Sequence, residues 1–161
     1  LAKNKNLLLD LANEGETTYT SMIDLPSLYD VPLIGGGPGA TNGGMIAYNY
    51  HSVEGYSAFG SFETNGLNDN VFIYTGFRAR WIMWRRYDAG NSWGIVDTAR
   101  TNGNVIGNYL LANDSAIEQT ATLTDIVSNG FKMRTSGFPD GHRFVYSAFA
   151  EHPFASNCRA R

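Results

Sequence analysis

A chain of 161 residues and 17.7 kDa with a single cysteine, Cys158, is long enough to bury about two thirds of its unfolded surface as one domain, without a disulfide or a cysteine metal site. Its net charge of -3 and pI near 5.5 argue against a general affinity for nucleic acid or anionic membrane, since both reward a basic excess. With 13% aromatic residues, only 17% charged residues and 18 glycines, the composition favours short strands joined by glycine turns over long amphipathic helices.

Residues 1–44 read as an irregular arm. Leu7, Leu8, Leu9, Leu11 and Ala12 offer one or two helical turns that Asn13 and Gly15 cut short, and a helix of that length is marginal without a partner surface. Thr17 to Met22 has strand character, Pro26 and Pro32 interrupt the next stretch, and Ile34 to Gly44 (IGGGPGATNGG) reads as a hinge. That glycine run lacks the Gly-Lys-Ser/Thr ending of a phosphate loop. The start LAKNKNLLLDL is too short in apolar residues for a secretory signal, and no run approaches the ~18 residues of a membrane span. Opening on Leu1, the chain reads as processed, as a fragment of a longer polypeptide, or as incompletely determined.

Residues 45–161 read as the body. Strand signals recur at Met45 to Tyr50, Tyr56 to Phe62, Val71 to Thr75, Arg80 to Tyr87, Ser92 to Asp97, Thr122 to Val127, Phe131 to Arg134 and Arg143 to Ala150. Between them fall Glu54-Gly55, Asn65-Gly66, Gly90-Asn91, Asn102-Gly103, Asn129-Gly130 and Asp140-Gly141, pairs suited to positive φ and tight turns. This spacing predicts an all-β, antiparallel sandwich or barrel. All three tryptophans lie between Val71 and Arg100. Trp81, Met83 and Arg85 alternate there with Ile82, Trp84 and Arg86, so both faces need cover and Trp81 and Trp84 are core candidates. The last strand sets Phe144, Tyr146, Ala148 and Ala150 against Val145, Ser147 and Phe149, which predicts a central strand.

The chemistry-bearing residues are scattered. No carboxylate pair has the arrangement that sandwich-fold glucanases use for acid–base work. His51, His142 and His152 stand apart from any ligand-spaced partner, and no Gly-x-Ser-x-Gly elbow occurs. The arginines 78, 80, 85, 86 and 100 lie among Asp88 and Asp97, which predicts ion pairing along a sheet rim. Trp93, beside Asn91 and Ser92, has the makeup of a sugar-stacking aromatic, although core packing is the commoner fate of a tryptophan in a sandwich. Polar loops at Thr101 to Asn104, Asn113 to Ser115 and Ser136 to His142 have the makeup of a recognition rim or of plain connectors. The candidate rim is Asn91, Trp93, Asn102, Asn104 and His142.

The blocks Phe77 to Tyr87 (FRARWIMWRRY), Ser92-Trp93, Val96 to Arg100, Tyr109 to Asn113, Ile126 to Lys132 (IVSNGFK) and Val145 to Phe154 (VYSAFAEHPF) come in a familiar order. Over Met45 to Phe154 the chain resembles a β-sandwich module of tailed-bacteriophage virion proteins, found at the C-terminal end of tail fibres and other structural proteins and similar to concanavalin-type lectin or jelly-roll sandwiches. The segment between Lys132 and Arg143 is shorter than in that pattern, so no ligand-binding loop carries over there. The resemblance implies a non-enzymatic virion structural protein of tail-fibre, receptor-binding or head-fibre type that recognises a host-surface glycan or protein. It implies a homo-oligomer, favouring a trimer, with residues 1–44 docking on other virion proteins. Charge, ligand spacing and run length lead us to expect no cofactor, no metal, no nucleic acid and no membrane insertion. A capsid cement or decoration protein is the alternative, and a glycan-degrading enzyme the third reading.

Overall fold

In the computed structural model, which describes residues 50–101, 103–134 and 138–153, every regular element is a β-strand. The arm and hinge, the predicted strand from Met45 apart from Tyr50, Asn102 and Cys158 lie outside the described residues. The strands are β1 (Ser57–Asn65), β2 (Phe72–Tyr74), β3 (Ala79–Arg86), β4 (Gly94–Asp97), β5 (Ile106–Leu111), β6 (Gln119–Val127), β7 (Gly130–Met133) and β8 (Asp140–Ala150).

All pairings are antiparallel, and the order is β1-β8-β3-β4-β5-β6-β7-β2. Strands β3 to β7 form a meander, β8 inserts between β1 and β3, and β2 attaches to the far side of β7. The outermost strands β1 and β2 are consecutive in sequence. The turn between them is tied by the Asn65 N–H donating to Asn70 Oδ1 at 3.1 Å. The eight-stranded sheet therefore rolls until its two edges are one loop apart, nearly closed into a barrel.

Period-2 alternation decides what fills it. Phe62 of β1, Phe144 and Ala148 of β8, Ile82 and Trp84 of β3, Val96 of β4, Ile106 of β5, Ile126 of β6 and Phe131 and Met133 of β7 are all buried in one cluster. Phe62 stacks on Phe144 at 5.1 Å and meets Phe131 edge-on at 6.2 Å, which joins β1 and β8 to β7 across the interior. Such ring pairs add roughly 0.5–1.5 kcal/mol each beyond the area they bury. Tyr146 also faces inward, 5.3 Å from Phe131, and burial pushes its hydroxyl above the ordinary tyrosine pKa.

The other face of β1, β8 and β3 is also aromatic. Phe149 contacts Tyr56, Phe59, Trp81 and Tyr50, with centroids between 5.7 and 6.4 Å. Trp81 belongs here, opposite Phe149 in the ladder and half-buried, which corrects its assignment to the core. An irregularity in β3 between Ala79 and Trp81 shifts the register just before it. Arg85, expected from the sequence to join the ion pairs of a sheet rim, is instead fully buried on this face, with its guanidinium 5.3 Å from the Trp93 ring.

Of the predicted turn glycines, Gly55, Gly66, Gly103 and Gly141 have positive φ. Gly130 does not serve as a turn residue; it opens β7, opposite Tyr74 of β2.

Three other arginines of the arginine-rich stretch are ion-paired along the barrel rims, Arg78 to Glu151 at 2.7 Å, Arg86 to Asp88 at 2.5 Å and Arg100 to Asp97 at 2.7 Å. Asp88 ties two strand ends together, since it also accepts the Arg143 N–H at 3.2 Å. Burial works to raise its pKa, but the Arg86 hydrogen bond and the Arg143 amide outweigh it and hold it below the ordinary value of 3.8. A carboxyl whose folded pKa is depressed contributes stability that is complete above its unfolded pKa and is lost as pH falls through the folded one. Asp88→Asn is therefore expected to lower stability at neutral pH and to flatten its acid decline below about pH 4, near the unfolded aspartate pKa. Denaturant titrations across that range check this, and an unchanged acid limb would refute it.

Candidate functional site

The up-and-down course of the strands gathers the β1–β2, β3–β4, β5–β6 and β7–β8 connections at one mouth of the barrel. A cavity of about 230 Å³ opens there, lined by Trp84, Asn91, Ser92, Gly94, Tyr109, Leu111, Leu123 and Phe138. Trp84 and Gly94 face each other across the β3–β4 ladder. A Cβ on Gly94 would come within 2.9 Å of the indole, so only glycine lets that ring settle against β4. Leu111 and Tyr109 come from the end of β5, Leu123 from β6, and Phe138 closes over from the β7–β8 connection.

Hydrogen bonds hold the rim in place. Asn113, from the β5–β6 connection, accepts the Trp93 N–H on Oδ1 at 2.8 Å and donates from Nδ2 to Ser92 Oγ at 3.3 Å, and the Ala112 N–H donates to the Trp93 carbonyl at 2.9 Å. The β3–β4 and β5–β6 loops are thereby stapled side by side with Asn91 and Ser92 at the opening. On the other flank the buried Thr64 donates its hydroxyl to the Pro139 carbonyl at 2.5 Å, and Phe138 packs on Phe144 at 5.0 Å, which sets the ring at the mouth.

The side chains of the described lining are uncharged. Its polar groups are one carboxamide, one aliphatic hydroxyl, one phenol and the indole N–H; the rest is aromatic and aliphatic carbon. Because the Asn113 amide occupies one lone pair of Ser92 Oγ, the hydroxyl proton remains available to donate. Among the described residues no carboxylate or imidazole lines the cavity, and this lining is suited to holding a neutral, partly apolar group. Among the described residues no three histidine, cysteine, aspartate or glutamate side chains come together as a metal site.

The sequence-predicted rim is divided by the fold. Asn91 lines the cavity. Trp93 is its near neighbour but lies half-buried over Arg85. His142 is at the same end outside the cavity, its carbonyl 3.2 Å from Thr64 Oγ1. Asn104 sits at the opposite end, in the β4–β5 connection, and Asn102 lies outside the described residues. Trp84, Tyr109, Leu111, Leu123 and Phe138 were not legible as site residues. Trp84 reads as core, which it also is, and the others come from segments distant in sequence.

A family described as a domain of unknown function, DUF7483, matches residues 1–153. The chain belongs to the DUF7483 family. No curated protein and no solved structure matches it. In this DUF7483 barrel Asn104 does structural work, because its side chain brackets Ile126, donating from Nδ2 to the carbonyl at 2.8 Å and accepting the N–H on Oδ1 at 3.0 Å. Ile126 is fully buried, and although its carbonyl keeps a hydrogen bond from Arg78 Nη1 at 2.9 Å, truncation strands its backbone N–H at the end of β6. Asn104→Ala is expected to cost about 1–3 kcal/mol, measured by urea denaturation; a loss under ~0.5 kcal/mol, the usual range of an idle surface residue, would contradict the clamp.

Proposed function

We propose that this protein is a non-enzymatic structural component of a tailed-bacteriophage virion, of tail-fibre or head-fibre type, that recognises a neutral glycan on the host surface through the mouth of its barrel. The observation that carries this reading is the uncharged cavity in which Trp84 and Phe138 meet Asn91, Ser92 and Tyr109, since sugar recognition pairs apolar ring surface with a few fixed amides and hydroxyls. The block resemblance to lectin-like virion sandwiches supports the particle context. A homotrimer, and docking on other virion proteins through residues 1–44, complete the proposal.

A second reading, a capsid cement or decoration protein, is favoured by a separate observation. Tyr50 is 67% exposed beside Phe59 and Phe149, and Phe72 and Tyr74 project from β2 at 44% and 68% exposure. Exposed aromatic surface of this kind is what an assembly contact covers.

Labelled protein incubated with host cells tests the first reading. Binding that periodate oxidation of the surface glycans abolishes is the expected result, whereas protein that binds no cells and is not found on particles refutes it. Removal of residues 1–44 separates the two roles, because a cement protein loses capsid binding and a distal adhesin keeps glycan binding.

A further inference from the structure

We propose that the mouth cavity takes a single neutral sugar ring, the terminal unit of a glycan, and rejects acidic sugars; this rests on the glycan-recognition reading and names the ligand class of that site. Size argues for one ring. At about 230 Å³ the cavity falls below the roughly 300–1,000 Å³ of sites that enclose drug-sized ligands. Leu111, Leu123 and Trp84 are contributed by the strands β5, β6 and β3, so this part of the lining is set by the sheet. A terminal residue enters while the remainder of the glycan stays in solvent.

The lining also fits the two kinds of surface on a sugar ring. Its C–H groups find Trp84, Phe138, Leu111 and Leu123, and its hydroxyls find Asn91, which both donates and accepts, the Tyr109 phenol, and Ser92, whose acceptor side Asn113 already occupies. Charge sets the selectivity. Among the described residues no lysine, arginine or histidine lines the cavity, and at this end Arg86 is paired with Asp88, while Arg134 is paired with Asp69 and Asp125. A sugar carboxylate would lose its hydration on entry without gaining a cation, a penalty that a hydroxyl with a hydrogen-bond partner does not meet.

The test titrates the full-length protein with neutral monosaccharides (glucose, galactose, mannose, N-acetylglucosamine) and with glucuronic and sialic acids, reading saturation-transfer NMR and tryptophan fluorescence. At least one neutral sugar is expected to saturate with a millimolar Kd, while the acids give no response at the same concentrations. Asn91→Asp and Tyr109→Phe should each weaken binding about tenfold or more, with an unchanged melting temperature showing that the fold is intact, and His142→Ala, at the same end outside the cavity, should leave binding unchanged. Failure of every neutral sugar, or equal binding by wild type and Asn91→Asp, overturns the proposal. Host-cell binding separates it from the reading it rests on. Cell binding that survives Asn91→Asp overturns the cavity assignment and leaves glycan recognition standing, whereas saturable sugar binding without cell binding sustains the cavity assignment and overturns the host-recognition role.

Discussion

Gly130→Ala is expected to detach β2 from β7 and to destabilise the barrel by about 3–5 kcal/mol. Gly130 is buried and lies opposite Tyr74, in the ladder that joins the short β2 to the rest of the sheet. A Cβ built there would overlap the carbonyl oxygen of Ile73 and stand 2.9 Å from the Phe72 ring. The carbonyl is backbone, and its surroundings are fixed on both sides, because the Thr75 and Gly76 N–H groups both donate to Asn129 and the Met133 N–H donates to Val71. Overpacking alone costs about 1–3 kcal/mol. If β2 lifts away to relieve it, Ile73, now 6% exposed, loses its cover as well, a further ~1.5–3 kcal/mol. Gly107→Ala is the matched control, since a Cβ there meets nothing within 4 Å. Urea denaturation of both variants, with hydrogen exchange at Ile73 and Phe131, reads the result; equal stability of the two would refute the close approach.

The same glycine shows where the sequence misleads. Asn129-Gly130 has the composition of a tight turn, yet the turn is Ser128-Asn129 and the glycine belongs to the strand, selected by the proximity of β2 and not by φ. Local pattern cannot distinguish those uses, because the crowding atom comes from a residue far away in the chain. Strand β5 was hidden for a related reason: Ile106–Leu111 (IGNYLL) has no clean alternation, and its pairing with β6 shifts register between Ile106 and Asn108. A bulge erases the period-2 signal that revealed β3 and β8.

Where alternation is intact the sequence was informative. It placed Ile82 with Trp84 and Phe144 with Ala148, and it made β8 an interior strand, which the pairing with both β1 and β3 satisfies. Its failure at Trp81 is instructive, since two apolar faces read as two cores, whereas the outer rings of β1, β3 and β8 cover one another. The cavity lay beyond such reasoning altogether. Asn91 is visible as a polar turn residue, but Tyr109, Leu123 and Phe138 meet it only because the sheet rolls, and Asn104 has the same local look while serving as a clamp at the other end.

The sharpest contrast within one short stretch is between its tryptophans. Trp84→Ala is expected to remove about 3–5 kcal/mol, a large share of the 5–15 kcal/mol that holds a typical domain folded, because the indole is 4% exposed and fills the space between the core and the mouth cavity against Gly94. Trp93→Ala removes a half-buried ring that lies 5.3 Å from the Arg85 guanidinium, a contact worth about 0.5–2 kcal/mol. The loop around Trp93 stays anchored in that variant, since the bonds to Asn113 and Ala112 use its backbone N–H and carbonyl. Thermal and urea unfolding of the two variants should therefore separate widely, with Trp84→Ala near collapse and Trp93→Ala folded. Equal damage from both would mean that the cover over Arg85 is as much a part of the core as the interior of the barrel.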